Sequence, residues 1–358
     1  MNKRFIIASL LIIVASITRG QGSAGFADSI RKTYLIPELN YSVVSSDSIL
    51  EIQSLGYKKI GSDRKSDIHD LFRIGSNTKA ITGFIAALMV KQGKIAWNTR
   101  FFDLFPELKK NSNPAYSNLN LLDLLSFRTR LPRYTYTNKY LTEDQFTGNE
   151  QQQRYQFILW ALKQKPVPIT KDSMSYSNLG YVIAGLMLEK VSGKPYKELV
   201  ADLGKKLNIH FYFGQPNNID TLQPWGHNEH LIPEPPGQNN KLDWLLPAGN
   251  ITLSLPDYAR FIQLQLQGLA GKAALLSANE FKLLHYGRPV FSLGWFYNSD
   301  NSGNVFTHNT GNPGTFLTNV YVFGVRNRAI IIFANSQTSR AEEGENLLFE
   351  QLRKIYIP

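Results

Sequence analysis

The serine and the lysine of segment 72–79 stand three positions apart, a spacing that could make the serine a nucleophile. On a helix, positions i and i+3 are neighbours, with β-carbons about 5–6 Å apart. If the amine of Lys79 is kept neutral, it could take the proton of the Ser76 hydroxyl, and no histidine is needed. The chemistry that this pair predicts is nucleophilic catalysis by the serine, with the lysine as its base.

Context distinguishes this pair from two others, because Ser29 and Ser62 are also followed by lysine at the same spacing. A glycine precedes Ser76, and the apolar run over 80–90 stops at Gly93, which predicts a buried helix. The first turn of that helix would direct backbone N–H groups at an anion formed on Ser76. The simpler alternative is an ordinary N-cap serine with an incidental lysine.

A second group of residues, Tyr176 and Asn178, stands before the apolar run over 182–188. A tyrosine at such a turn can shuttle a proton if nearby cations lower its pKa, and an asparagine can hold a substrate amide. The triplet Tyr-x-Asn occurs twice more in the chain, so its position before a buried helix is the stronger argument. The alternative is a core aromatic followed by a helix cap.

A third, glycine-rich block covers 306–316, between two candidate strands. A glycine-rich edge lets a substrate backbone approach a strand closely. His308 could then place a positive or hydrogen-bonding group beside the substrate. The alternative is a purely structural histidine at a strand end.

The elements that must position these blocks are predicted from apolar periodicity. The chain has 358 residues, 43% of them hydrophobic and 19% charged, which suits one large domain or two intertwined subdomains. The region 66–285 is mostly helical, with long loops over 130–149 and 213–242. The predicted strands are 39–46, 49–55, 291–297, 305–307, 316–323 and 329–335, and a final helix covers 340–355.

These elements predict an α+β fold in which both ends of the chain build one antiparallel sheet flanked by helices. The sheet subdomain would comprise about 21–65 and 286–358. The helical insertion would comprise about 66–285.

The first twenty residues predict export. Lys3 and Arg4 precede the apolar stretch 5–15, and small and polar residues follow, as in a secretory signal peptide over 1–20. The apolar stretch is too short for a comfortable membrane span, so residues 21–358 are expected to be periplasmic or secreted, with no stable span after cleavage. An uncleaved anchor is the alternative.

Composition excludes several classes of function. There is no cysteine, so disulfides, thiol catalysis and cysteine-ligated metals are excluded. The net charge is +11, and residues 1–20 supply three of those charges, which leaves +8 on 21–358. A basic surface favours anionic polymers or membrane surfaces, but nucleic acid is not expected for an exported chain without a nucleic-acid module. No cofactor and no metal are predicted.

In their order and rough spacing, the three blocks resemble those of the penicillin-recognising serine hydrolases. The resemblance is to class C β-lactamases and D-alanyl-D-alanine carboxypeptidases, with their esterase and D-aminopeptidase relatives, from about residue 35 to the end. Further matching stretches are 121–126, 247–250, 256–261 and 293–295. The resemblance implies a β-lactamase/transpeptidase-like fold. It also implies that Ser76 is the acylated nucleophile, Lys79 its base partner, Tyr176 the proton shuttle and Asn178 a contact for the substrate amide.

The third block can be aligned with the family in two ways. With His308 at the family's basic position, a basic group stays in the cleft and the oxyanion hole would use the N–H groups of Ser76 and Gly311. Thr310 then replaces a glycine and would narrow the groove. Aligning 309–311 with Lys-Thr-Gly fits better but places an asparagine at the basic position. We adopt His308 because it retains the base.

A second departure from the family is Arg130, which stands where the loop after the leucine pair usually has glycine. The resemblance places its positive bulk near the cleft. Both departures make the fold a firmer prediction than efficient β-lactam hydrolysis.

The predicted function is an exported serine hydrolase acting on amides or esters, such as D-Ala-D-Ala peptides, β-lactams or small esters, with a small-molecule or peptidoglycan-derived substrate. The alternative is a receptor that is acylated at Ser76 but deacylates negligibly. A Ser-His-Asp hydrolase of the α/β type lacks its Gly-x-Ser-x-Gly elbow. A metal site at 227–230 lacks a third ligand.

Overall fold

The computed structural model describes residues 22–134, 145–168, 174–238, 243–299, 303 and 305–357. Within them, six antiparallel strands form one sheet in the order β2-β1-β9-β8-β7-β6, and three short strands form a second sheet in the order β3-β5-β4. The strands are β1 (Glu38–Val44), β2 (Ile49–Gly56), β3 (Leu71–Arg73), β4 (Tyr212–Phe213), β5 (Ile251–Ser254), β6 (Phe296–Ser299), β7 (Val305–Gly311), β8 (Leu317–Phe323) and β9 (Arg328–Ala334).

Helices cover both faces of the larger sheet, and others pack on one another in the helical region. They are α1 (22–33), α2 (Thr78–Lys91), α3 (Phe101–Leu104), α4 (Pro106–Lys109), α5 (Leu121–Leu125), α6 (Glu150–Ala161), α7 (Asn178–Ser192), α8 (Tyr196–Leu207), α9 (Pro216–Ile219), α10 (Leu246–Gly249), α11 (Leu255–Leu269), α12 (Ala278–Tyr286) and α13 (Ser339–Tyr356).

The larger sheet is apolar on both faces. In β9, Ile330 and Ile332 pack with α1 and α13, whereas Ile331 and Phe333 face the other core, towards α2 and α11. Successive side chains of a strand point to opposite faces, so a strand covered on both sides needs a continuous apolar run. This is why 329–334 contains no polar residue.

The helix that carries Lys79 is at the centre of the helical region. Every residue of α2 from Thr78 to Ala87 is buried, and the helix packs against α7, α8, α10 and α12. It ends before Gly93, which has the left-handed φ of +68° that glycine adopts without strain. The apolar run therefore positions Lys79 in the core and not on the surface.

The predicted α+β class with an antiparallel sheet flanked by helices is confirmed. The N-terminal hairpin joins the C-terminal strands through the pairing of β1 with β9. The predicted start of the strand over 291–297 was wrong, because β6 begins only at Phe296. The subdomain limits stay a prediction. The signal peptide and the middle of the 130–149 loop, at 135–144, lie outside the described residues.

Within the part of the chain that the structure describes, no helix combines the length and the apolar character required to cross a membrane.

Candidate active site

Ser76 lies in a short 3-10 turn, Gly75–Asn77, between strand β3 and helix α2. A side chain on Gly75 would place a β-carbon 2.6 Å from the backbone N of Asn312, so only glycine fits this close approach. The amide of Asn77 donates to Thr318 Oγ1 and to Thr318 O. Ser76 does not cap α2, because the N-cap of that helix is Asn77. The 3-10 turn is capped by Ile74. The alternative of an ordinary capping serine is therefore not supported.

The amine of Lys79 lies one turn further on, 2.9 Å from Ser76 Oγ. The side chain is fully buried, and desolvation holds the pKa of Lys79 well below its ordinary value. Nζ is also 2.8 Å from Asn178 Oδ1 and 2.7 Å from Ala248 O. A neutral amine has two N–H donors for these acceptors, which leaves its lone pair for the Ser76 hydroxyl. The arrangement is that of a base.

The Tyr176 hydroxyl lies 2.5 Å from Ser76 Oγ. Burial raises the pKa of Tyr176 to about 12, although the bond to Ser76 and the charge of Arg133 act in the opposite direction. The condition that nearby cations lower this pKa is therefore not met, because burial outweighs the charge of Arg133. At neutral pH the phenol keeps its proton and can donate it.

Asn178 is the first residue of α7, and it lies between Lys79 and a neighbouring loop. Its Oδ1 accepts from Lys79, and its Nδ2 donates to Tyr134 O at 2.6 Å. Its backbone N donates to Arg133 O at 2.8 Å. Asn178 therefore holds the lysine in place, and its contact with a substrate amide stays a prediction.

The structure does not bring His308 to Ser76. The His308 ring stacks with Phe296 and Tyr321, at centroid distances of 5.5 and 6.2 Å. Tyr321 stacks in turn on Phe349 of α13, on the opposite face of the sheet from Ser76. The prediction that His308 lies beside the substrate was wrong, because side chains alternate along β7 and His308 is on the other face.

Asn309 takes the place that we predicted for His308. Its Nδ2 donates to Gly294 O at 2.7 Å and to Ser76 O at 3.2 Å, and the residue is 2% exposed. The alignment of 309–311 with the family's Lys-Thr-Gly is therefore the one that fits the structure. The period of two along the strand, counted back from Gly311, was the signal that could have identified Asn309.

At the end of β7, the backbone of Gly311 lies close to the backbone of Ile74. A β-carbon there would collide with Ile74 O, in the turn that leads to Ser76. Thr310 points away, with its Oγ1 donating to Asn319 Oδ1 at 2.6 Å, so the expected narrowing of the groove by Thr310 was wrong. The role of the Gly311 N–H in an oxyanion hole stays a prediction, and the next backbone N, of Asn312, also lies beside Gly75.

Arg130 is exposed and bonded to Val167. Its Nε donates to Val167 O at 3.2 Å, and Val167 N donates to Arg130 O at 2.8 Å. Among the contacts of the described residues, the side chain from this loop that reaches the site is Phe127, whose ring centroid is 4.6 Å from that of Tyr176. Neither Phe127 nor Ala248, whose carbonyl oxygen accepts from Lys79, was predicted as a site residue.

The two histidines of 227–230 differ in burial. The His227 ring is buried, with Nδ1 2.8 Å from Asn335 O and Nε2 accepting from Ile60 N at 3.2 Å. His230 is exposed on the surface. Both ring nitrogens of His227 are therefore used to join three loops of the protein.

We expect His227 to make the fold sensitive to acid. Burial lowers the pKa of His227 to about 4 from 6.5, so between those values the unfolded chain binds a proton that the folded one does not. Stability is lost as the pH falls from 6.5 to 4, by about 3 kcal/mol for this residue. Urea unfolding of wild type and His227→Gln across this range tests it. Parallel curves for the two proteins would contradict the assignment.

Known proteins resemble this chain over most of its length. The profile of the family described as Beta-lactamase matches residues 25–353. Protein flp of Staphylococcus aureus (strain N315) is 22% identical over 311 residues, which are 84% of this chain and 60% of that protein. The chain thus spans about 60% of the length of the curated relatives it first matches.

Solved structures share the fold at low sequence identity. The beta-lactamase/D-alanine carboxypeptidase from Pseudomonas syringae is 16% identical, with a TM-score of 0.75 over 96% of this chain and all of that one. SurE, solved with D-Leu, is also 16% identical, with a TM-score of 0.75 over 95% of this chain and 76% of its own. At this identity the likeness establishes the fold alone.

Proposed function

Because this chain belongs to the beta-lactamase family, we propose that it is a serine hydrolase that forms an acyl-enzyme at Ser76. One observation carries the proposal. Ser76 Oγ lies 2.9 Å from the buried amine of Lys79 and 2.5 Å from the phenol of Tyr176. A nucleophile between a neutral base and a protonated acid has the two proton-transfer partners that acyl transfer requires.

The steps follow from these positions. The Ser76 hydroxyl gives its proton to Lys79 as its oxygen bonds to the carbonyl carbon of the substrate. The tetrahedral intermediate collapses when the bond to the leaving group breaks, and Tyr176 supplies the proton that this group takes. Proton transfer from Lys79 to Tyr176 restores both groups. Water then attacks the acyl-serine, releases the acid and returns the hydroxyl to Ser76.

The substrates that we propose are esters or amides, and we favour substrates without a carboxylate beside the reacting carbonyl. Asn309 carries no charge, and its side-chain amide donates to Gly294 O and Ser76 O. The third block therefore offers no cation to a substrate carboxylate, which weakens the case for β-lactams and D-Ala-D-Ala peptides against small neutral esters. A peptidoglycan-derived substrate remains within the proposal.

Intact-mass measurement tests this proposal. The purified chain is exposed to a p-nitrophenyl ester and, separately, to a fluorescent penicillin. We expect the mass to rise by one acyl group with the ester, followed by its loss on a time scale of turnover. No added mass with either reagent would contradict the proposed function.

The same experiment separates the hydrolase from its rival. A receptor that is acylated but deacylates negligibly would retain the added mass indefinitely. We further propose that the segment 1–20 directs export, which cell fractionation with and without that segment tests. A chain that reaches the same compartment in both forms would contradict export by this segment.

A further inference from the structure

Tyr176 is not held in place by a regular element of its own. It stands in the irregular stretch 174–177, directly before α7. Its phenol must nevertheless stay within hydrogen-bond distance of Ser76 Oγ, because a displacement of about 1 Å can reduce a catalytic rate about 100-fold. The contacts that fix Tyr176 must therefore come from a neighbouring segment of the chain.

Phe127 makes two of these contacts. Its ring is fully buried against the Tyr176 ring, with centroids 4.6 Å apart and planes tilted by 47°. Its carbonyl oxygen accepts from Ser175 N at 3.0 Å, one residue before the tyrosine. Phe127 thus holds both the ring of Tyr176 and the backbone that leads to it.

The backbone of Phe127 is strained in making these contacts. Its φ of +59° lies in the left-handed region, which is unfavourable for a residue other than glycine. A bulky side chain in this region is an outlier, and such strain persists only where the surroundings over-determine it. A glycine would relieve the strain but would remove the ring that packs on Tyr176.

Two neighbouring segments hold the Phe127 turn in this conformation. The Phe127 ring stacks on Phe291, with centroids 4.3 Å apart. The guanidinium of Arg128 donates to Phe291 O at 3.1 Å and to Pro289 O at 2.7 Å. Between these two carbonyls stands Val290, which is itself at a φ of +65° and 56% exposed. The loop that contains Phe127 and the loop that contains Val290 are thus bonded to each other, and the first of them contacts Tyr176.

We propose that Phe127, clamped by Arg128, is a positioning residue for the reaction: it sets the place of the Tyr176 phenol relative to Ser76 Oγ. This inference rests on the proposed function. Loss of this positioning should affect some substrates more than others. Tyr176 protonates the leaving group, so misplacing it should harm substrates whose leaving group needs a proton and spare those whose leaving group departs as a stable anion.

Two acetate esters with one acyl group test this selectivity. p-Nitrophenyl acetate releases a stable anion, whereas ethyl acetate releases an alkoxide that requires a proton. The quantity to measure is kcat/KM, because it reports acylation whatever the rate of deacylation. For Phe127→Leu we expect a loss of about tenfold on ethyl acetate and less than about twofold on p-nitrophenyl acetate.

A double-mutant cycle shows whether Phe127 acts through Tyr176. We expect Tyr176→Phe to lose about 100-fold on ethyl acetate, and Phe127→Leu to add nothing in that background. Phe323→Leu is the matched control, because it shortens a buried aromatic that packs on Phe306 and Phe349, away from the site. It should leave the ratio between the two esters unchanged.

The outcomes separate this inference from the proposed function. Equal losses on both esters, or additive losses in the cycle, would overturn the positioning role while leaving Ser76 acylation intact. A wild type that takes up no acyl group would overturn both. If Phe127→Leu does not fold, Arg128→Gln keeps the ring and removes the clamp, and it should show the same selectivity to a smaller extent. No selectivity in that variant would count against the proposal.

Discussion

Ser76→Ala will abolish the uptake of an acyl group from an activated ester, with a loss of about 10³-fold or more in the acylation rate. The variant retains Lys79 and Tyr176 but lacks the oxygen that both groups contact. Neither remaining group can replace it, because the amine is buried and bonded to Ala248 O, and the phenol is protonated at neutral pH. Intact mass after exposure to p-nitrophenyl acetate is the measurement.

The chain provides matched controls for this experiment. Ser29 and Ser62 have the same spacing to a lysine, but Ser29 lies in α1 and Ser62 in the surface turn that follows β2. Ser29→Ala and Ser62→Ala should each be acylated like wild type. Equal labelling of wild type and Ser76→Ala would remove Ser76 as the nucleophile.

Lys79→Met will also lower the acylation rate, by about 10³-fold or more, without loss of the fold. Methionine occupies a similar volume but has no lone pair to accept the Ser76 proton. The melting temperature should not fall at pH 7. Because burial lowers the pKa of Lys79 below its value in the unfolded chain, folding disfavours the protonated amine at pH 7, which costs stability. Removing the amine removes this cost.

Lys91→Met is the control for Lys79→Met on the same helix. Lys91 is exposed at the end of α2, and its Nζ donates to Leu275 O. It should be acylated like wild type. Acylation of Lys79→Met at the wild-type rate would show that another group acts as the base.

The pH dependence of the wild-type acylation rate also tests Lys79 as the base. Only the neutral amine accepts a proton, so the rate should rise with pH through the lowered pKa of Lys79 and be level above it. A lysine on the protein surface would stay protonated until the pH approached its ordinary pKa of 10.5. A rate that rises only in strong alkali would contradict a depressed pKa.

The local parts of this site could be predicted from the amino-acid sequence. Ser76 and Lys79 are three residues apart at the start of an apolar run, and helical geometry alone then brings their side chains together. The N-terminal hairpin and the helix beginning at Asn178 followed from the same kind of short-range pattern. Each of these features depends on residues that are close in sequence.

His308 and Asn309 show where such reasoning ends. They are adjacent in β7, and a shift of one residue exchanges the face on which a strand side chain lies. Only the packing of β7 against the Gly75 turn and the pairing with β8 determine that Asn309 faces Ser76. The glycine-rich composition of the block was compatible with both arrangements.

The ionisation of the site also depends on long-range packing. The pKa of Lys79 is lowered and that of Tyr176 is raised because both are desolvated by segments distant in sequence. Phe127 and Ala248 reach these side chains from two such segments. The sequence therefore determined which side chains could act as nucleophile, base and acid. Their protonation states, and the contacts that hold them together, were determined by burial in the folded protein, because desolvation arises only when remote segments pack.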